Sequence, residues 1–249
     1  AGGRSATTAE AVDVALRQAE EGADILDIGG QSTRPGSLPV PQDEELGRVL
    51  PVLEALARRL DVPLSIDTDK AEVARRALEA GASIVNDVSA LRNDPLMLEA
   101  ALKAEAVILM HRGGRSPKDM QERPAYGDVV AEVKDFLKER REFFARSGGD
   151  AARLLVDVGI GFGKDLDHNL SLLRHIDEFA QIAPLVLGVS RKSFLGRVIA
   201  GPGGEIPGPE ERLEGSLAAA CWAALKGVKA LRVHDVGATA RALGIVDAI

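Results

Sequence analysis

Along the 249 residues, short runs rich in branched apolar residues alternate with longer Ala/Leu/Glu/Arg stretches whose apolar residues fall three and four apart. Seven runs are predicted as strands: residues 24–28, 63–66, 83–88, 106–110, 154–158, 184–189 and 230–233. They are short and mostly apolar, the pattern of parallel strands covered on both faces. Strict alternation of strand and helix implies a parallel sheet with right-handed crossovers. At this length the leading expectation is an α/β fold, the closed (β/α)8 TIM barrel, with an open doubly wound sheet second. Because the chain begins with a helix and supplies seven strands, a closed barrel is expected to draw its first strand from upstream of Ala1.

Local signals punctuate the helices. Thr7 with Glu10 fits a capping box, and Gly22 sits where a C-terminal glycine belongs. Asp69 with Glu72 is expected to start a helix that Gly81 ends, and Asp94-Pro95 to cap the next. A helix is predicted from Asp128 to about Ser147, and others over 44–60 with a kink at Pro51, 166–179, 209–226 and 236–246. No Pro, Gly or Ser run is long enough to be a linker, so residues 1–249 are taken as one domain.

Composition removes several classes of function. Apolar residues at 45% and charged residues at 28% supply a core and exclude a disordered chain. The net charge of −7 argues against nucleic acid as the partner, since phosphate backbones need clustered positive charge. A single cysteine, Cys221, excludes an intrachain disulfide and points to a reducing compartment. The longest apolar run, 217–225, is far shorter than the roughly 20 residues of a membrane span. The opening AGGRSATTAE has no signal-peptide core, and the protein is expected to be cytoplasmic with no membrane partner.

Polar residues gather at the ends of the predicted strands: Asp27, Asp67-Thr68, Asn86-Asp87, Met110-His111, Asp157, Ser190-Arg191-Lys192-Ser193, and Arg232 with His234. In a parallel barrel these ends converge on one rim, where such folds place their sites. Asp67, Asn86 and Asp157, with Lys192 nearby, suit a flat ligand bearing an amino-amidine edge, because a carboxylate accepts two parallel N–H bonds. Arg34, Arg191, Lys192, Arg232 and His234 suit a polyanion such as diphosphate. Structural roles compete for several of these residues. Asp67 and Asp157 could seal the barrel end as ion pairs, Asn86 could cap a loop, and Asp27 could bind a backbone amide. Arg34 could be a solvated charge, Phe162 plain packing, and His111 a core histidine. The GIGFGK segment (159–164) fails the phosphate-loop pattern at Val158 and Asp165, and the dinucleotide pattern at Lys164.

The segments DIGGQSTRPG (27–36), SIDT (65–68), IVNDV (84–88), LMH (109–111), LVDVGIGFGK (155–164), LGVSRKS (187–193) and LRVHDV (231–236) together resemble the dihydropteroate synthase family. The resemblance implies a pterin-binding TIM barrel of folate biosynthesis, a transferase. Its reaction joins p-aminobenzoate to 6-hydroxymethyl-7,8-dihydropterin diphosphate, giving 7,8-dihydropteroate and diphosphate. Carried over by motif, Asp67, Asn86, Asp157, Lys192 and Met110 would hold the pterin, and Arg232 and His234 the diphosphate. Thr33, Arg34, Pro35, Phe162, Ser190 and Ser193 would surround p-aminobenzoate, where sulfonamides compete. Asp27, Arg191 and His111 are supporting candidates. The resemblance also implies Mg2+ on the diphosphate, its asparagine ligand expected upstream of Ala1, and a homodimer. Two other functions compete: a barrel moving a methyl group from methyltetrahydrofolate to a corrinoid, which has no need of SRKS or RVHD, and a non-catalytic pterin-binding paralogue.

Overall fold

The computed structural model describes residues 7–32, 36–114 and 125–249. Seven parallel strands are present: β1 (Leu26–Gly29), β2 (Leu64–Asp67), β3 (Ile84–Asp87), β4 (Ala106–Met110), β5 (Leu154–Asp157), β6 (Val186–Leu187) and β7 (Ala230–Leu231). Strands β1 to β5 pair in sequence order, a bridge between Val156 and Leu185 extends the order toward β6, and β6 pairs with β7. Each predicted strand is therefore found, a residue or two shorter in most cases. The expected eighth strand lies outside the described residues.

Helices α1 (Thr8–Glu20), α2 (Gln42–Ala57), α3 (Ala71–Glu79), α4 (Met97–Lys103), α5 (Val129–Arg146), α6 (Leu166–Arg174), α7 (Ser193–Ala200), α8 (Leu213–Leu225) and α9 (Val236–Ala248) separate or follow the strands. The Thr7–Glu10 capping box forms as expected. Asp128 caps α5 by accepting from the backbone N–H groups of Val130 and Ala131 at 3.0 and 3.1 Å, an arrangement that stabilises a helix by about 1 kcal/mol. From there Val129, Val133, Leu137, Arg140 and Phe144 bury one face at helical spacing.

Several elements differ from expectation. Asp69 does not cap α3; the backbone N–H of Ala71 donates to the Asp94 carboxylate at 2.8 Å, so the next βα loop closes that helix start. Pro51 lies within α2, where the predicted helix places it. The stretches predicted over 166–179 and 209–226 each break into an α-helix and a 3-10 turn, Ile176–Gln181 and Pro209–Glu211. Helix α7 adds to the predicted elements; its eight residues contain Gly196, a weak helix former.

Strand parity explains both the core and the rim. Leu64, Ile66, Val85, Val107, Leu109 and Leu154 pack outward with α1–α4, and Val156, Leu185 and Leu187 with α5–α8. The alternate positions form a separate cluster of Ile84, Ile108 and Val186, with Ala106, Leu155 and Ala230 against it. Successive side chains of a strand point to opposite faces, so residues two apart share a face. Two residues beyond Ile84, Ile108, Leu155 and Ala230 along their strands stand Asn86, Met110, Asp157 and Arg232. The apolar plug thus makes the floor above which the polar residues collect. Among the described residues no helix is long and apolar enough to cross a membrane.

Gly159 shows how tightly the rim is built. Its φ is +68°, and a Cβ would lie 1.8 Å from the carbonyl oxygen of His111. Gly159→Ala is expected to destabilise the fold by about 2–4 kcal/mol in urea unfolding; an unchanged midpoint would show that the loop has room to move.

Candidate active site

Six strand ends meet in one charged cluster. Arg232, just past β7, donates from Nε to Asp27 at 2.5 Å and from Nη2 to Asp67 at 2.7 Å. Asn86 donates from Nδ2 to the same Asp27 carboxylate at 3.3 and 3.5 Å. Gly188 lies between the remaining members: a Cβ there would be 3.7 Å from Lys192 Nζ and 3.8 Å from Arg232 Cβ. Lys192 donates to the Ile160 carbonyl at 2.6 Å, and its ammonium sits 4.8 Å from the centre of the Phe162 ring. Asp157 accepts from the Gly159 N–H at 2.7 Å and is the nearest carboxylate influence on Lys192.

Burial sets the charges of this cluster. It pushes the Asp67 carboxyl up to about 7, against the opposing pull of Arg232. It raises Asp157 too, with Lys192 pulling the other way, and lowers Lys192 to about 8. Asp27, followed by Asp67, holds the Arg232 guanidinium firmly protonated. Asp67 is bound through Oδ2 alone; its Oδ1 is buried without a hydrogen-bond partner. An unmatched buried acceptor costs about 1–3 kcal/mol, so Oδ1 is a ready position for a ligand N–H. Arg232 has five N–H donors and spends two on carboxylates; its side chain is 47% exposed, which leaves donors for an anion at the mouth.

The structure redraws three expectations. The acidic and cationic sets are not separate regions, since Arg232 is clasped by two of the carboxylates. Arg191 turns away from the cluster: with φ +58° it makes a two-point ion pair with Asp235 and a second pair with Glu210. His234 is brought down to about 4 by burial and by the neighbouring Arg191 and Arg232, so near pH 7 it acts as a neutral imidazole. Its Nδ1 lies 3.1 Å from Ser190 Oγ, which also accepts the His234 backbone N–H at 3.2 Å. Asp27 proves more central than its supporting place in the sequence suggested, and the strand-end pattern that identified Asp67 identifies it equally. Met110 is buried below the cluster, Ser193 opens α7 in an exposed position, and His111 is enclosed behind the rim. Thr33, Arg34 and Pro35 lie outside the described residues.

A buried network anchors the β1–α2 loop. Glu45 of α2 is fully buried, accepts from Thr68 Oγ1 at 2.7 Å and pairs with Lys70. Lys70 donates at 2.9 Å to Gln31 Oε1, which also accepts the Val40 N–H at 2.8 Å. Both feet of the loop are thereby tied to the end of β2. Among the described residues no group of three or more His, Cys, Asp or Glu could hold a metal ion.

The chain as a whole is similar to known proteins. The sequence profile described as pterin binding enzyme matches residues 1–234. The dihydropteroate synthase of Escherichia coli strain K12 is 45% identical, the match covering 99% of this chain and 86% of that protein. Among solved structures, Yersinia pestis dihydropteroate synthase with a sulfonamide drug complex superposes with a TM-score of 0.92 at 43% identity, covering 99% of this chain and 88% of the other. Burkholderia cenocepacia dihydropteroate synthase complexed with 7,8-dihydropteroate gives 0.89 at 45% identity, covering 98% and 87%. The fold is the TIM barrel of these pterin-binding proteins. The chain belongs to the dihydropteroate synthase family.

Asp67 supplies a pH test. Its carboxyl rises from 3.8 to about 7 on folding, so its contribution to stability is complete below the lower value and lost as pH rises through the higher one. Asp67→Asn removes this dependence, and urea titrations should show the variant gaining on the wild type between about pH 4 and pH 8. A constant difference would mean that Asp67 titrates normally.

Proposed function

We propose that the protein condenses 6-hydroxymethyl-7,8-dihydropterin diphosphate with p-aminobenzoate, forming 7,8-dihydropteroate and diphosphate. The observation that carries this reading is the orphaned Oδ1 of Asp67 beside a guanidinium with donors to spare. The first suits the amino-amidine edge of a pterin and the second a departing anion. Asn86 and Asp157 complete the pterin's acceptors, with Met110 beneath and Lys192 alongside. Full-length likeness to dihydropteroate synthases supports the same substrates.

The chemistry follows from where the charges sit. As the bond from the pterin methylene to the diphosphate oxygen breaks, its electron pair leaves with the diphosphate, and the pterin ring spreads the resulting positive charge. Asp67 and Asp157 favour that cation, while Arg232 favours the anion and His234 can donate a neutral hydrogen bond to it. The p-aminobenzoate nitrogen then attacks the methylene carbon and loses a proton to solvent, with Phe162, Ser190 and Ser193 lining its approach; the family resemblance alone adds Thr33, Arg34 and Pro35. No covalent enzyme intermediate is needed.

Mg2+ is proposed as the diphosphate's counterion on the family resemblance alone. The described residues do not form a metal-binding set, and no step here runs through the ion. A homodimer is supported by the outer face of α7, α8 and α9, where Val198, Ile199, Trp222, Leu225 and Ile245 are exposed. Trp222 is held in place there by a 3.0 Å bond to the Leu173 carbonyl. An exposed apolar patch of this kind is typical of a surface that another chain covers. The protein is read as a cytoplasmic enzyme without nucleic-acid or membrane partners.

Diphosphate release and dihydropteroate formation should each require both substrates together. Release that ignores p-aminobenzoate would overturn the assignment, and a methyltetrahydrofolate-dependent activity would replace it. Arg232→Ala should lower kcat/KM at least about tenfold, and near-normal steady-state kinetics would remove it from the leaving-group role. Sedimentation should give twice the chain mass, with Leu225→Glu shifting the protein toward monomer.

A further inference from the structure

Lys164 is a buried lysine for which the proposed reaction has no use. It ends the GIGFGK segment and is 3% exposed. Its ammonium lies 2.9 Å from His111 Nδ1 and donates to the carbonyls of Gly159 and Phe162, each at 3.0 Å. An ammonium has three N–H donors, and three acceptors meet them. His111 can serve as one because burial brings it down to about 2, leaving the imidazole neutral. Burial also lowers Lys164 to about 7, with Asp157 favouring its charge and Lys192 opposing it. A lysine carried this far from water is costly unless it does something that an apolar residue cannot.

What it does is visible in the loop it holds. The Phe162 carbonyl accepts from Lys164 and also from the Gly113 N–H at 3.2 Å, joining the β5–α6 loop to the start of the β4–α5 loop. From the helix side, Asn169 accepts the Gly161 N–H at 2.7 Å and donates to the Lys164 carbonyl at 3.3 Å. Between these two anchors lie the Ile160 carbonyl that receives Lys192 and the Phe162 ring beside the same ammonium. We propose that Lys164 is a positioning residue that locks the 159–162 loop, so that Phe162 and Lys192 are presented to the substrates in one fixed arrangement. Its own ammonium contacts are all to protein atoms. Its kinetic consequence rests on the function proposed above; its structural consequence does not.

Lys164→Met keeps an unbranched chain and removes every donor, while Lys164→Gln keeps two donors without charge. In Lys164→Met the KM for p-aminobenzoate should rise about tenfold while the thermal midpoint stays near the wild-type value, with Lys164→Gln intermediate. A purely structural lysine would instead reduce active enzyme and leave both KM values alone. Amide hydrogen exchange at Gly113, measured without substrate, should accelerate about tenfold while amides of β1–β3 are unaffected. Unchanged KM values together with unchanged Gly113 exchange would overturn the proposal. If Lys164→Met does not fold, Lys164→Gln decides on the same two readouts. If the wild type makes no dihydropteroate, the function falls, and the exchange measurement alone decides the role of Lys164.

Discussion

The guanidinium of Arg232 is the point on which the rim depends. Carried just past β7, it is clasped by Asp27 of β1 and Asp67 of β2. Removing a partner from an enclosed charge pair leaves the other charge stranded, which costs far more than the pair contributes. The same contacts that tie the ring therefore also fix the planes of both carboxylates and of the cation. Structural and chemical demands fall on identical atoms here, so neither can be altered alone.

Most of this was legible from the chain because strand parity is a strong rule. Apolar residues at one phase and a polar residue two places beyond an apolar one are enough to locate Asn86, Asp157 and Arg232 on a shared inner face. Contacts between strand ends were less legible. Nothing in the spacing of Arg191 and Lys192 says that the backbone enters the left-handed region at Arg191 and sends the two cations to different partners. Spacing gave Asp69 to the start of α3 and Asp94 to the next helix, and packing between neighbouring loops brought Asp94 to α3 instead. Helix α7 escaped because its eight residues follow at once on the rim segment at Lys192 and carry Gly196 in their midst.

The protein keeps several ionisable groups in places that oppose their charge. Asp67, Asp157, Lys164 and Lys192 are all shifted toward neutrality by burial, and each is partly rescued by an opposite charge nearby. Such a cluster is sensitive to what enters it, since a cation or anion arriving at the mouth changes the balance for every member.

The buried Glu45–Lys70–Gln31 network has an evolutionary consequence. Gln31 and Val40 are fastened to each other and to β2, so the strain of any change between them stops at those feet. A loop held at both ends in this way accommodates substitution and insertion between them at little cost to the barrel. In this stretch of chain, ligand preference and structural integrity are free to drift apart under selection.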